Sequence, residues 1–159
     1  MPPDGGPSGP EPTYRQAGQD DAGAIAAIGS QMLDELGEAS GLPGPMTSAD
    51  VSERLAGYEG RGAMFVCAQE KGLCGFAALE PDPREEGCVV LGVWLLPAVR
   101  RQGTGRELAL MALEFARAAG YKKVRGTLPS GNEAALSFFS EIGALAQVVG
   151  GGMQYELPL

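Results

Sequence analysis

Leu95-Leu96-Pro97-Ala98-Val99-Arg100-Arg101-Gln102-Gly103-Thr104-Gly105-Arg106 is the stretch on which the fold of this chain turns. Before it, residues 88–96 (CVVLGVWLL) are almost wholly apolar and stop at Pro97, the pattern of a strand buried on both faces. After it, residues 103–119 place Leu108, Met111 and Phe115 on one helical face, with Gly120 past the end. A buried strand therefore runs through a glycine turn directly into an amphipathic helix. The N–H groups at a helix start lack intrahelical partners and sit at the positive end of the macrodipole, which suits a phosphate. Gly103 and Gly105 have no Cβ and let an anion approach the main chain. Arg100, Arg101 and Arg106 add cations fit for a pyrophosphate.

Two other nucleotide-binding patterns fail on the same residues. A dinucleotide fingerprint needs a third glycine where Leu108 stands, and no Gly-Lys-Ser/Thr run occurs. Gln147, Gly150 and Gly152 repeat the Arg/Gln-x-x-Gly-x-Gly spacing, but only seven residues follow, Pro158 among them, so no helix can open there.

Working outward, residues 1–12 (MPPDGGPSGPEP) read as a disordered tail, and a single domain is expected over 13–159. Residues 13–17 are strand-like. Asp20 and Asp21 can cap a helix carrying Ile25, Ile28, Met32, Leu33 and Leu36, and Thr47 or Ser48 starts a second helix through Leu55 and Tyr58. Residues 63–69 and 73–79 form a hairpin about Lys71 and Gly72, and 81–86 is a charged loop. Residues 121–128 are a strand, 132–142 a helix, and 145–149 with 153–157 a closing hairpin. The expected fold class is α/β, a mixed, mostly antiparallel central sheet flanked by helices.

Composition narrows the chemistry. At 159 residues and 44% hydrophobic the chain can bury a core without disulfides or metals, and no apolar run reaches the ~18–20 residues of a membrane span. No signal-like leader is visible, so a cytoplasmic location is expected. There is no histidine, which removes serine–histidine and cysteine–histidine pairs and a histidine base. Cys67, Cys74 and Cys88 have no metal-type spacing, so no metal is expected. The net charge of −8 argues against nucleic acid and is compatible with a cationic acceptor.

Two signatures together resemble the GCN5-related N-acetyltransferase (GNAT) family. One is Arg/Gln-x-x-Gly-x-Gly/Ala at Arg100, Gly103 and Gly105; the other, Asn-x-x-Ala-x-x-Phe-Tyr then Gly, is similar to Asn132, Ala135, Phe138 and Phe139 followed by Gly143. The resemblance covers nearly all of 13–159 and implies the acyl-CoA N-acyltransferase fold. It implies acetyl-CoA as cosubstrate, lying in a splayed opening between the fourth and fifth strands. The pantetheine arm would follow Val93, Trp94 and Leu95, where a main-chain N–H polarises the thioester carbonyl. The pyrophosphate would rest on the amides from Arg101 through Gln102, Gly103, Thr104 and Gly105 to Arg106, and Asn132 would contact the arm.

Family members place a glutamate just before or early in the fourth strand as general base. Glu85 and Glu86 flank that position with Glu80 further off, and Glu86 is the candidate taken here. Phe139 departs from the family's pattern, which has a tyrosine there to protonate the departing thiolate, so Tyr155 or Tyr121 would have to reach in, or water serve. Trp94 suits the acceptor cleft or the core equally, and Cys88 is expected to be an inert buried thiol.

The implied activity is direct acetyl transfer from acetyl-CoA to a primary amine of a small molecule or protein, the small molecule being preferred. A CoA-binding regulatory domain with little catalysis and an acyltransferase for larger acyl groups are the alternatives. A homodimer through the C-terminal strands, hinged at residues 150–152, is compatible with the resemblance.

Overall fold

A computed structural model describes residues 12–37, 42, 44–99, 103–129, 145–149 and 152–159; for 127–129, 145–149 and 152–155 the description is of the backbone. Strand β1 (Thr13–Gln16) leads through a 3-10 turn into α1 (Ala22–Leu36), and α2 (Ser48–Gly57) follows. Then come β2 (Ala63–Gln69), β3 (Gly72–Pro81), β4 (Cys88–Leu95), α3 (Thr104–Ala118), β5 (Lys123–Pro129), β6 (Leu145–Val149) and β7 (Gly152–Pro158). The helix expected over 132–142 and the tail expected over 1–11 lie outside the described residues.

Local chemistry fixes the helix starts. The Asp21 carboxylate accepts from the Gly18 N–H at 2.8 Å and from both Arg15 terminal nitrogens at 2.7 and 2.8 Å, which anchors the turn before α1. Thr47 and Asp50 make a reciprocal capping box at α2, with bonds of 3.1 and 3.0 Å. Along α1, Ile25, Ile28 and Met32 are buried while Leu36 is exposed, so the expected stripe fades toward the helix end. Among the described residues no helix is long and apolar enough to cross a membrane.

The seven strands form one sheet in the order β1-β2-β3-β4-β5-β7-β6. Every ladder is antiparallel except β4 with β5. Helix α3 covers one face, over Phe65, Cys67, Ala77, Leu79, Val89 and Leu91. Helices α1 and α2 cover the other, over Met64, Val66 and Phe76. The layout is the mixed α/β sheet expected from the sequence.

One expectation is corrected. The 88–96 run is buried on both faces only in its first half: Cys88, Val89 and Leu91 are buried, while Val93, Trp94 and Leu95 are half-exposed. The cause is pairing. β5 matches β4 at only Cys88↔Lys123, Val89↔Val124 and Val90↔Arg125, and beyond these the β4 edge has no β5 neighbour to cover it.

An ion-pair hub sits where the two strands still touch. Arg125 Nη1 donates to Asp82 Oδ2 at 2.9 Å, Nη2 to Glu85 Oε1 at 2.6 Å, and Nε and Nη2 to Glu156 Oε2 at 3.1 and 2.9 Å. Lys123 Nζ lies 2.6 Å from Glu85 Oε2. The Asp82 side chain is 1% exposed and that of Arg125 13%. The Arg84 N–H bonded to Asp82 holds its carboxyl below the usual carboxylate range, with the Arg84 and Arg125 charges adding to this; Lys123 and then Arg125 do the same for Glu85.

Removing one partner of a buried pair strands the other, at a cost of about 3 kcal/mol. Arg125→Met should therefore lose about that much unfolding free energy at pH 7 in urea titrations. Depressed carboxyl pKa values stabilise the fold above the unfolded value and lose that contribution as pH falls through the folded value. The gap between wild type and variant should accordingly narrow below about pH 4. A loss under about 1 kcal/mol at pH 7 would mean that solvent screens the hub.

Candidate active site

The parting of β4 and β5 creates the site. Beyond Val90, β4 keeps its partner β3, from Leu91↔Leu79 to Leu95↔Gly75, while β5, paired with β7 along its whole length, has no further partner in β4. At about 3.3 Å per residue this flanks a cleft with some 16 Å of β4. Val93, Trp94 and Leu95 stand at its open end.

The start of α3 is brought to that end by close packing. Leu96 N–H donates to the Cys74 carbonyl at 2.9 Å, and the chain turns through Pro97–Val99 with Val99 buried. Gly103 caps α3 at φ 82°, left-handed backbone that favours glycine, and open space surrounds the place of its missing Cβ. A Cβ on Gly105 would lie 3.2 Å from Leu95 Cδ1 and 3.7 Å from Val93 Cγ1. This glycine thus allows close helix-to-strand contact. Thr104 is 1% exposed and its side chain is hydrogen-bonded with Tyr14, a phenol that burial pushes up. Its hydroxyl is thus engaged within the fold. Arg106 is exposed on the first turn.

Trp94 lies on the α1/α2 face. Its ring stacks on Phe76 at 4.9 Å between centroids and 26° between planes, and covers Gly92, where a Cβ would collide with it. It is half-buried and packs against the α1/α2 core.

The carboxylates separate clearly. Glu80, opposite Val90, accepts from Arg54 Nη1 at 2.7 and 2.8 Å and from Tyr58 Oη at 2.8 Å. Glu85 is held by Lys123 and Arg125, and its lowered pKa makes it a poor base. Glu86 is exposed on the turn before β4, at the closed end of the cleft, and has no partner among the described residues. Cys88 is buried and burial raises its pKa, as an inert thiol requires. Tyr121 is buried with its hydroxyl donating to the Arg61 carbonyl at 2.7 Å, a packing role. Tyr155 places its backbone opposite Gly126, the first β5 residue past the ladder to β4. Arg100, Arg101, Gln102, Asn132 and Phe139 lie outside the described residues.

A cavity of about 220 Å³ is found elsewhere, lined by Gln16, Gly18, Tyr58, Gly62, Met64 and Phe115. Phe115 is about 16 Å along α3 from Thr104, so this cavity is separate from the cleft. Sequence reading missed Tyr14 and Arg125. For Arg125 a signal existed, since Lys123 and Arg125 alternate along a buried strand and so require carboxylate partners. Nothing in the sequence ties Tyr14 to Thr104.

Comparison with known proteins agrees with this geometry. Residues 30–144 match the acetyltransferase (GNAT) family. The uncharacterised N-acetyltransferase YjgM of Escherichia coli (strain K12) is 30% identical over 115 residues, 70% of this chain and 69% of that protein. The phosphinothricin acetyltransferase of Sinorhizobium meliloti, solved in complex with acetyl-CoA, superposes with a TM-score of 0.78 at 18% identity, over 93% of this chain and 88% of that one. The ribosomal-protein-alanine N-acetyltransferase of Brucella melitensis gives 0.78 at 20% identity, over 92% and 99%. The chain belongs to the GNAT acetyltransferase family.

Gly105→Leu should separate α3 from β4, because its side chain needs the volume held by Leu95 and Val93. We expect acetyl-CoA affinity to fall at least tenfold, about 1.4 kcal/mol, in calorimetry. Unchanged affinity would show that the helix start does not carry the cofactor.

Proposed function

We propose that this protein transfers the acetyl group of acetyl-CoA directly to a primary amine of a small molecule. The observation that carries the reading is the three-pair β4–β5 ladder opening beside a helix start capped by left-handed Gly103. The cleft fits the cosubstrate: its length suits an extended arm, and the open space at Gly103 suits a pyrophosphate. Acetyl-CoA supplies an activated acyl group on a thiol leaving group.

The protein's residues then bind, orient and deprotonate. Val93, Trp94 and Leu95 line the arm, and a main-chain N–H of this segment polarises the carbonyl. Gly103, Thr104 and Gly105 offer amides to the pyrophosphate, with Arg106 beside them and Arg100, Arg101 and Gln102 preceding in sequence. Asn132 and Phe139 complete the cofactor side in this reading. Trp94 borders the acceptor.

An unperturbed alkylamine, with a pKa near 10.4, is neutral about once in 2,500 molecules at pH 7, so a base is needed. Glu86 takes that role, supported by its exposure and by the engagement of Glu80 and Glu85 elsewhere. Seven residues, up to about 23 Å of extended chain, separate it from Val93, so it serves the amine only through a chain of several waters. Tyr155 is assigned the proton return to the thiolate, supported by its register opposite Gly126. The net charge of −8 favours a cationic acceptor.

The test is release of free CoA thiol from acetyl-CoA near pH 8 against a panel of small amines. Amine-dependent release, abolished by Gly103→Glu, is expected. Glu86→Gln should lower kcat about tenfold at pH 7 with acetyl-CoA affinity unchanged. Tight acetyl-CoA binding with no release for any amine would instead identify a CoA-sensing domain.

A further inference from the structure

Cys67 on β2 and Cys74 on β3 are both buried, at 0% and 4% exposure, with their Sγ atoms 2.6 Å apart. Regular pairing would not bring them together. Cys67 is opposite Gly75, and neighbouring residues on a strand point to opposite faces. The register shifts between Cys67 and Ala68, whose partners are Gly75 and Leu73, leaving Cys74 as the extra residue of a β-bulge. Alternation with Phe76 and Ala78 would send Cys74 toward α1 and α2; instead it joins the α3 core beside Cys67. Gly75 supplies the room, since a Cβ there would stand 3.3 Å from Cys67 Sγ.

The pair adjoins the cleft. The Cys74 carbonyl accepts the Leu96 N–H at 2.9 Å, at the exit of β4. The Gly75 notch that holds Cys67 Sγ also holds Leu95, which touches Gly105 at the start of α3.

We propose that Cys67 and Cys74 form a reversible redox site, closed to a disulfide by peroxides, and that closure weakens acetyl-CoA binding through Leu95 and Leu96. The first thiol, as thiolate, attacks a peroxide oxygen, giving a sulfenic acid and one water. The second attacks the sulfenic sulfur, forming the S–S bond and releasing another water. In sum, two thiols and hydrogen peroxide give one disulfide and two waters, with two electrons passing from sulfur to oxygen. Burial, and next the bond with Cys74, raises the Cys67 pKa, so its thiolate forms only when the site opens to solvent. Access comes from opening of β1, a four-residue edge strand whose Tyr14 lies opposite Cys67. Bond formation draws Cys67 Sγ within the shared notch, displaces Leu95 and loosens its contact with Gly105.

The coupling rests on the acetyl-CoA site proposed above; the redox site does not. The full chain is treated with hydrogen peroxide under native conditions, alkylated, and digested with trypsin, which cuts after Lys71 between the two cysteines. Expected is a linked pair of peptides from residues 62–71 and 72–84, separated by dithiothreitol. Acetyl-CoA affinity, read by calorimetry, should drop about fivefold on oxidation and recover on reduction. Cys67→Ala and Cys74→Ala should each abolish the link and the peroxide sensitivity. Separate peptides after peroxide would overturn the redox site. A linked pair with unchanged affinity would overturn the coupling. Failure of the reduced protein to bind acetyl-CoA would overturn the proposed function and the coupling with it, while the peptide link still decides the redox site.

Discussion

The guanidinium of Arg125 is the constraint on which the working part of this molecule depends. Its three nitrogens reach Asp82 and Glu85 on the β3–β4 loop and Glu156 on β7. That one group binds the loop before β4, the strand beside it and the strand beyond. Two parallel strands that share three residue pairs would otherwise gain by extending their ladder. Here the ladder stops at Val90↔Arg125, and beyond it β5 keeps only the partner on its other edge, β7, from Gly126 to Pro129. The hub holds the wedge shut at one end, and at the other β4 and β5 part.

The open end is set by small residues. Gly105 lets α3 touch Leu95 and Val93, Gly75 receives Leu95 from the β3 side, and Gly92 leaves space for the Trp94 ring. Each absent Cβ allows a larger neighbour to settle where the strands part. The result is asymmetric. The α3 face presents a helix start to the cleft, whereas the α1/α2 face presents an aromatic edge. In the proposed function, phosphate recognition and acceptor recognition would therefore fall on different faces of one sheet.

Charge placement also decides which acids remain available for chemistry. Glu80 and Glu85 are close in sequence to Glu86, yet Arg54 with Tyr58 occupies the first and Lys123 with Arg125 the second. Those partners come from α2, the residue just past its end and β5, 22 or more residues away. No local pattern could have ranked the three.

Among the described residues, the sequence by itself determined the order of elements, the amphipathic helices and the glycine-containing junction between β4 and α3. These follow from periodicity, caps and turn chemistry, which act over a few neighbouring residues. Boundaries held within a residue or two at β2, β6 and α3 for the same reason. Tertiary structure decided that only half of β4 is buried, that Gly105 packs against strand, that Thr104 turns its hydroxyl to Tyr14, and that two cysteines seven residues apart meet across a bulge. Each of these depends on which strands become neighbours and in what register. Register is a property of two segments at once, set by the burial and charge pairing of the assembled sheet.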